Sequence, residues 1–241
     1  MLVPSKDTES HCTHLQEALK VARDGNLHFN KKKLQLAVPR LKYLGHIISS
    51  RGVEVDPQKV EAISSFPSPS NKQELLRFLG MATYLLKFVP HLSEETRQLR
   101  DLLRITSTWH WDASTEQQFN RVKQLLSNTP VLVYFDSNKH VQLSVDASSY
   151  GLGGVLLQEG KPVAYTSATL NDTQQRYAQI EELLAIVYAC EHFHYYVYGH
   201  AFEVQTDHKP LLGLMKKLYG QISPRLQRQV QRYHYSVTKC S

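Results

Sequence analysis

The feature that most constrains the fold is a change in the spacing of apolar residues after Pro130. Before this point apolar residues recur every three or four positions, and from Val141 onward they alternate with polar residues in short runs. The first spacing is typical of amphipathic helices, and the second is typical of strands with one buried face. We therefore expect a largely helical region followed by a region built around a sheet.

The later region is predicted to contain three consecutive strands, a long helix and a further strand. The strands are expected at 141–146, 155–158, 162–165 and 202–206, and the helix at about 172–193. Gly151, Gly153 and Gly154 are interpreted as the turn between the first two strands. We do not read them as a phosphate loop, because such a loop lies between a strand and a helix. Strands and helices arranged around one sheet indicate an α+β or α/β layer.

The earlier region is predicted to contain a helix at about 8–24, a β-hairpin and several short helices. The hairpin strands are expected at 41–48 and 52–55, and the later helices at 58–65, 75–89, 93–103 and 115–127. Asp56 and Pro57 form a typical helix start, with proline at the first helical position. The expected fold class is α+β (α/β), a small hairpin and helical subdomain followed by a mixed sheet flanked by helices.

Charge is distributed unevenly along the 241 residues, a length that allows one large or two ordinary domains. The net charge is +6, with 16 basic and 11 acidic residues up to position 105 and 12 and 11 after it. A basic first part favours a polyanionic partner, although simple solubility also explains a modest excess. For the run Lys31, Lys32 and Lys33, a nucleic-acid contact and a solvated strand flank both remain open.

Cysteine usage and hydropathy bear on where the chain resides. The three cysteines, Cys12, Cys190 and Cys240, are odd in number and lie outside any metal-ligand spacing, which argues against a disulfide scaffold. The sequence contains neither a signal-peptide pattern nor an apolar run near the ~18 residues that span a bilayer. We expect an intracellular protein, cytoplasmic or nuclear and not secreted, with no membrane partner.

Three carboxylates occupy positions where packing does not require them. Asp146 and Asp207 each follow an alternating strand, and Glu182 lies on the long helix beside apolar residues. Carboxylates that converge from two strand ends and a helix would suit Mg²⁺, which prefers oxygen ligands. In the alternative interpretation, the two aspartates form turns and the glutamate is solvated. Spacing alone leaves both interpretations open.

Several strings of residues occur in the order characteristic of one protein family. They are FNKKK at 29–33, YLGHII at 43–48, GVEVDPQK at 52–59, FLG at 78–80, PVL at 130–132, VDAS at 145–148, GLGGVL at 151–156, ELLAIV at 182–187 and TDHKPL at 206–211. With these strings the chain resembles the Pol polyprotein of gypsy-like LTR retrotransposons. The resemblance implies the palm end and thumb of reverse transcriptase at 1–105, a connection segment at 106–140 and a ribonuclease H-like domain at 141–241.

The resemblance also implies an activity and its residues. It assigns Asp146, Glu182 and Asp207 to the catalytic, metal-binding carboxylates of ribonuclease H, with Mg²⁺ or Mn²⁺ as cofactor. The implied reaction is hydrolysis of the RNA strand of an RNA–DNA hybrid. The helix before Leu183 is one residue shorter than the family pattern. Glu182 is preferred because it stays joined to Leu183, and Glu181 is the second choice.

The sequence also offers candidate nucleic-acid contacts, and it differs from the family pattern at both ends. The candidate nucleic-acid contacts are Lys31, Lys32 and Lys33, together with His208 and Lys209, which are adjacent to Asp207 in the sequence. The first residues resemble those that follow the polymerase YxDD motif, and the family's fourth acid has no counterpart here. We therefore expect a chain truncated at both ends and without polymerase activity, for which the remainder of a Pol polyprotein is a candidate partner. The alternative is a catalytically dead nucleic-acid-binding remnant.

Overall fold

The computed structural model describes residues 2–5, 7–171, 181–206 and 235–239, with only the backbone given for 181–182 and 235–239. The chain divides into two compact units, Met1–Leu41 and Lys42–Ser241. The mixture of helices with a mixed sheet confirms the expected fold class. The predicted boundaries after residues 105 and 140 stay predictions. No helix within the described ranges is long and apolar enough to cross a membrane.

The first unit contains one long helix, α1 (Thr8–Asp24), with the predicted bounds. It begins where the side chain of Asp7 accepts a hydrogen bond from the amide of Ser10, at 2.8 Å, a typical N-cap. Lys31–Lys33 form a short 3₁₀ turn that is likewise capped by an asparagine side chain. All three lysines are exposed to solvent.

The hairpin region contains three short strands in the order β1, β2, β3. Their bounds are Arg40–Tyr43, His46–Ser49 and Gly52–Val55. The division between the two compact units falls within β1. β2 and β3 are antiparallel, with His46 opposite Val55 and Ser49 opposite Gly52.

Five α-helices lie between the hairpin and the main sheet, α2 (Pro57–Ser64), α3 (Lys72–Tyr84), α4 (Leu92–Glu95), α5 (Arg97–Asp101) and α6 (Ala113–Ser127), with a short 3₁₀ helix at Leu86–Phe88. Asp56 caps α2 as predicted, with Pro57 at its start. The helix expected at 93–103 is instead two short helices that meet at Thr96. The Thr96 hydroxyl donates to the carbonyl of Leu92 at 2.7 Å, and such bonds from side chain to backbone disturb helices.

These helices enclose one apolar cluster, which we call the helical core. Its buried residues are Val55, Ile63, Leu75, Phe78, Leu79, Ala82, Leu85, Phe88, Val89, Leu92, Leu99, Leu102, Phe119, Val122, Leu126 and Leu132. Residues of α6 therefore pack with residues of α2 and α3, and the segment predicted as a connection completes the helical core.

The main sheet has five strands in the order β6, β5, β4, β7, β8. Their bounds are β4 Val141–Ala147, β5 Gly151–Gln158, β6 Lys161–Thr169, β7 Phe202–Thr206 and β8 Tyr235–Lys239. β4, β5 and β6 are antiparallel neighbours, and β7 runs parallel to both β4 and β8. Helices α7 (Glu181–His192) and α8 (His194–Val197) lie in sequence between β6 and β7. The predicted mixed sheet with flanking helices is confirmed.

Helix α7 covers one face of this sheet and forms the sheet core with it. Its buried residues are Val141, Leu143, Val145, Leu152, Leu156, Val163, Leu170, Ala185, Ile186, Ala189, Cys190, Phe193, Val197, Phe202 and Val204. Gly154 lies opposite Val145 on β4, and a side chain at Gly154 would stand 3.2 Å from the Cβ of Ala189 on α7. The absence of a side chain at Gly154 therefore lets α7 approach the sheet closely.

The interpretation of Gly151, Gly153 and Gly154 as a turn is wrong, because all three lie within β5. The turn itself precedes them, where the amide of Ser148 donates to the carbonyl of Gly151 at 2.9 Å. The Ser148 hydroxyl also accepts from the amide of Gly151 at 3.1 Å. A serine side chain supplies the turn chemistry, and the glycines serve close packing along the strand.

Candidate active site

Asp146 lies near the end of β4, on the sheet face that α7 does not cover. Val141, Leu143 and Val145 point into the sheet core, and alternation places Asp146 on the opposite side. About half of its side chain, 51%, is exposed to solvent. A carboxylate in this position contributes little to packing and is free to meet a ligand.

His91 stands beside this carboxylate. It follows Pro90, has a left-handed backbone conformation with φ 49°, and begins α4 without a capping hydrogen bond from its side chain. Its Nδ1 atom lies 3.7 Å from Oδ2 of Asp146, too far for a hydrogen bond but close enough for an ion pair if the imidazole is protonated. A residue from the helical region thus contributes to the surroundings of Asp146.

Gly153 makes room for this histidine. It pairs with Asp146 across β4 and β5, so both positions face the same side of the sheet. A Cβ at Gly153 would lie 2.7 Å from two atoms of the His91 ring, well inside van der Waals contact. The glycine string of β5 therefore has a specific role here, which is to admit an imidazole next to Asp146.

Two further contacts attach the helical region to the sheet near Asp146. The Ser93 amide donates to the hydroxyl of Ser167 on β6 at 3.0 Å, and the two buried hydroxyls are 2.9 Å apart. The guanidinium of Arg97 stacks on the Tyr150 ring, with its carbon 3.4 Å from the ring centroid. These contacts hold α4 against β6, and they hold α5 against the turn between β4 and β5.

The remaining predicted site residues are less fully described. Glu182 is the second residue of α7, and the structure gives its backbone only. Asp207, His208 and Lys209 lie outside the described residues. Lys31–Lys33 are exposed within the first compact unit. The convergence of the three carboxylates and the five nucleic-acid contacts therefore stay predictions.

The donor chemistry at Asp146 fits a hard divalent cation. Its carboxylate is open to solvent, and in the described part of the chain His91 is its one ion-pairing neighbour. Among the described residues, no three His, Cys, Asp or Glu side chains form a group that could hold a metal ion. Since Glu182 and Asp207 are two of the three expected ligands, the metal site itself stays a prediction.

The sequence of this region matches a known family. Residues 111–204 match the family described as the RNase H-like domain found in reverse transcriptase. The chain carries an RNase H-like domain of the reverse-transcriptase type. The match includes α6 and β4 to β6 and ends within β7, so the RNase H-like domain draws its first helix from the helical core.

Relatives extend the similarity over most of the chain. The Tf2-3 and Tf2-4 transposon polyproteins of Schizosaccharomyces pombe are each 32% identical to it over 221 residues, which is 88% of this chain. The chain spans only 17% of the length of these polyproteins. The expected relationship to retrotransposon Pol polyproteins is confirmed.

Solved structures show the same fold at lower identity. A foamy viral protease-reverse transcriptase in complex with RNA/DNA hybrid has a TM-score of 0.83 and 19% identity, covering 99% of this chain and 34% of that one. The foamy viral protease-reverse transcriptase dRH in complex with ds DNA has a TM-score of 0.81 and 19% identity, covering 98% and 44%. The arrangement of hairpin, helices and RNase H-like domain therefore recurs in reverse transcriptases.

Sequence reasoning missed the residues that the fold brings to Asp146. His91 is 55 positions away in the sequence, in a Pro-His pair with no recognisable motif. Arg97 and Ser93 fall in a stretch that reads only as amphipathic helix. The available signal was the string GLGGVL, because a strand that carries several glycines indicates close approach by another part of the molecule.

Proposed function

We propose that this chain is a reverse transcriptase/ribonuclease H part of a retrotransposon Pol polyprotein and hydrolyses the RNA strand of RNA–DNA hybrids with Mg²⁺ or Mn²⁺. The observation that carries the proposal is the exposed carboxylate of Asp146 on a strand of an RNase H-like domain. The foamy viral relative was solved with an RNA/DNA hybrid, which makes a hybrid the substrate class to test first.

Strand register supports a second carboxylate next to the first. β4 and β7 are parallel, with Ser144 opposite Gln205. β7 ends at Thr206, and Asp207 is the next residue in the sequence, so a continued register would set it opposite Asp146. Parallel strands carry corresponding residues to the same end of a sheet, and two adjacent carboxylates there would favour a divalent cation.

The third position, Glu182 at the start of α7, rests on the resemblance to retrotransposon Pol polyproteins. Asp146, Glu182 and Asp207 would hold the metal, and a bound divalent metal would supply an activated water and charge neutralisation at the scissile phosphate. His91 would hold the Asp146 carboxylate in position.

Substitution of Asp146 tests the proposal. The full chain is incubated with a hybrid whose RNA strand is end-labelled, in Mg²⁺ or Mn²⁺, alongside Asp146→Asn. Because the amide lacks the charge of a metal ligand, we expect cleavage to fall at least about 100-fold, or roughly 2.7 kcal/mol in barrier height. Binding of the hybrid in EDTA should not weaken, since the carboxylate contributes no attraction to phosphate.

Glu159→Gln is the matched control, because Glu159 is an exposed acid in the turn after β5 and pairs with Lys139. It should cleave at the wild-type rate. Cleavage that survives in Asp146→Asn would contradict the assignment and indicate a contaminating nuclease. Hybrid binding with no cleavage in the wild-type chain would instead support the catalytically dead remnant.

A further inference from the structure

A cavity of about 580 Å³ lies beside the RNase H-like sheet, between α5 and the end of β6. Arg97, Arg100 and Arg104 line it on the helical side, and Thr169 and Leu170 line it on the sheet side. Among the described residues, Asp101 is the one carboxylate in the lining. Three guanidinium groups against this acid give the described lining a net positive charge, which favours an anion.

Two of these arginines have neutral partners. Arg97 stacks on the Tyr150 ring, and Arg100 donates from Nε to the Thr96 hydroxyl at 3.0 Å. Within the described chain, neither has a carboxylate at ion-pairing distance. Partial burial lowers the pKa of the Arg100 guanidinium below its ordinary value, and an anion beside it would favour its charged form.

The third arginine is paired but available. Nε of Arg104 lies 3.0 Å from Oδ1 of Asp101, and the two side chains are 65% and 44% exposed. Exposed pairs of this kind contribute little to stability and exchange readily. Guanidinium groups bind phosphate oxygens through two parallel hydrogen bonds, so a phosphate can compete with Asp101 for Arg104.

Strand register places this cavity relative to Asp146. Gly153 pairs with Asp146 on one side and with Ser167 on the other, and Thr169 is two residues further along β6. Two residues along a strand and two strands across give a backbone separation of about 12 Å. Successive nucleotides advance about 3.4 Å along the duplex axis, and phosphates of one strand are spaced more widely because the backbone winds around that axis, so this separation corresponds to about two to four nucleotides.

We propose that the cavity binds a backbone phosphate of the nucleic acid, about two to four nucleotides from the linkage at Asp146. The inference rests on the proposed function, because it treats Asp146 as the place of cleavage. The three arginines position one strand of the hybrid by its phosphate without reading its bases. The contact is sequence-independent and depends on salt.

Hybrid affinity measured in EDTA tests the phosphate site without any cleavage. A fluorescein-labelled 20-base-pair RNA–DNA hybrid is titrated with the full chain from 50 to 300 mM NaCl. Arg97→Gln and Arg104→Gln should each weaken binding by about 3- to 10-fold and lower the slope of log K against log salt by about one. Asp101→Asn should strengthen binding, since it frees Arg104 and removes a repelling charge.

Arg51→Gln is the matched control. Arg51 is exposed, lies outside the cavity and pairs with Glu54 at 2.9 Å, so the substitution also leaves a carboxylate without its partner. Its hybrid affinity should stay within about twofold of wild type. Equal effects of Arg51→Gln and Arg104→Gln would overturn the proposal, because they would indicate a general response to net charge.

Neutral linkages in the hybrid test where along the nucleic acid the phosphate contact lies. This experiment uses the wild-type chain. A single methylphosphonate is moved along each strand, and affinity should fall at a linkage two to five nucleotides from the cleavage position. That loss should vanish in Arg97→Gln. Affinity for inorganic phosphate that depends on Arg97, with uniform hybrid affinity along the scan, would overturn the proposal in favour of a free-anion site. Failure of Asp146→Asn to stop cleavage would sink the proposed function, and the affinity results would still stand.

Discussion

His46 illustrates how the surroundings of one residue control its charge. Its ring stacks on Tyr84 with centroids 5.2 Å apart and lies 5.3 Å from the ring of Phe88. Its Nδ1 atom is buried and has no hydrogen-bond partner among the residues that the structure describes. Burial, together with the positive charges of Lys87 and Lys59, lowers the pKa of His46 to about 4. The imidazole therefore stays neutral in the folded protein through mildly acidic pH.

This neutral histidine predicts a loss of stability in acid. In the unfolded chain a histidine takes up a proton near pH 6.5, whereas folded His46 does so only near pH 4. Stability should be fully present above pH 6.5 and fall as the pH drops toward 4. Between pH 7 and pH 5 we expect this residue to account for about 1 kcal/mol, allowing for its partial exposure. Urea unfolding at the two pH values measures this change in the free energy of unfolding.

The variant His46→Gln should lose less stability than wild type between these pH values. His140→Gln provides the matched control, since His140 is exposed in the loop before β4. It should keep the wild-type pH dependence. Equal pH dependence in wild type and His46→Gln would show that protonation of His46 does not oppose folding.

At the scale of elements, the segment around Leu132 joins the hairpin to the main sheet. The amide of Val53 donates to the carbonyl of Leu132 at 2.8 Å, and the amide of Leu132 returns a bond to Val53 at 3.0 Å. The next amide, that of Val133, donates to the carbonyl of Pro162 on β6 at 2.9 Å. One short stretch of chain is therefore bonded to both sheets.

Gly52 permits this junction, and its replacement should break it. Its φ is +132°, and a Cβ there would lie 2.1 Å from the carbonyl oxygen of Leu132. Gly52→Ala should therefore cost at least about 2 kcal/mol in strain and displaced hydrogen bonds, measured as a lower urea midpoint. Gly160→Ala is the matched control, since Gly160 also has a positive φ, +71°, but open space around it. It should cost only about 1 kcal/mol.

The same elements show what the sequence could and could not predict. Bounds of α1, the cap of α2 and the alternating strand β4 follow from local pattern, and the structure has them within a few residues. The split of the helix at Thr96 accompanies a hydroxyl bond to Leu92, which the spacing of apolar residues does not register. Two glycines of β5 depend on distant partners, Gly153 on His91 and Gly154 on Ala189. Local patterns cannot report these two contacts, because the fold creates them.

At the scale of the whole molecule, the site combines predictable and unpredictable parts. Asp146 could be identified because strand-end carboxylates and the VDAS string mark it in the sequence. His91 and Arg97 belong to the helical region and reach the RNase H-like domain only through tertiary packing. The candidate site therefore depends on the helical core and the sheet core being assembled together.

This dependence predicts that the two cores open in one transition. Phe119 is fully buried in the helical core, with its ring 4.5 Å from that of Phe78. Phe119→Ala should cost about 3–5 kcal/mol. Trp109 and Trp111, the two tryptophans of the chain, pack against the helical core and report its unfolding by fluorescence. If the two cores are coupled, the free energy of unfolding of the sheet core should fall by the same amount.

Cys190 reports the sheet core independently. It is buried there, and burial raises the pKa of its thiol to about 12, so it reacts slowly until that core opens. The experiment uses a Cys12→Ser, Cys240→Ser background. Phe119→Ala should speed thiol labelling of Cys190 by the factor that corresponds to the fall in unfolding free energy measured by fluorescence. Leu76→Ala, at an exposed position of α3, should change neither measurement. An unchanged labelling rate beside a lowered fluorescence midpoint would mean that the sheet core folds alone, and that His91 and the arginines can leave Asp146 while it stays folded.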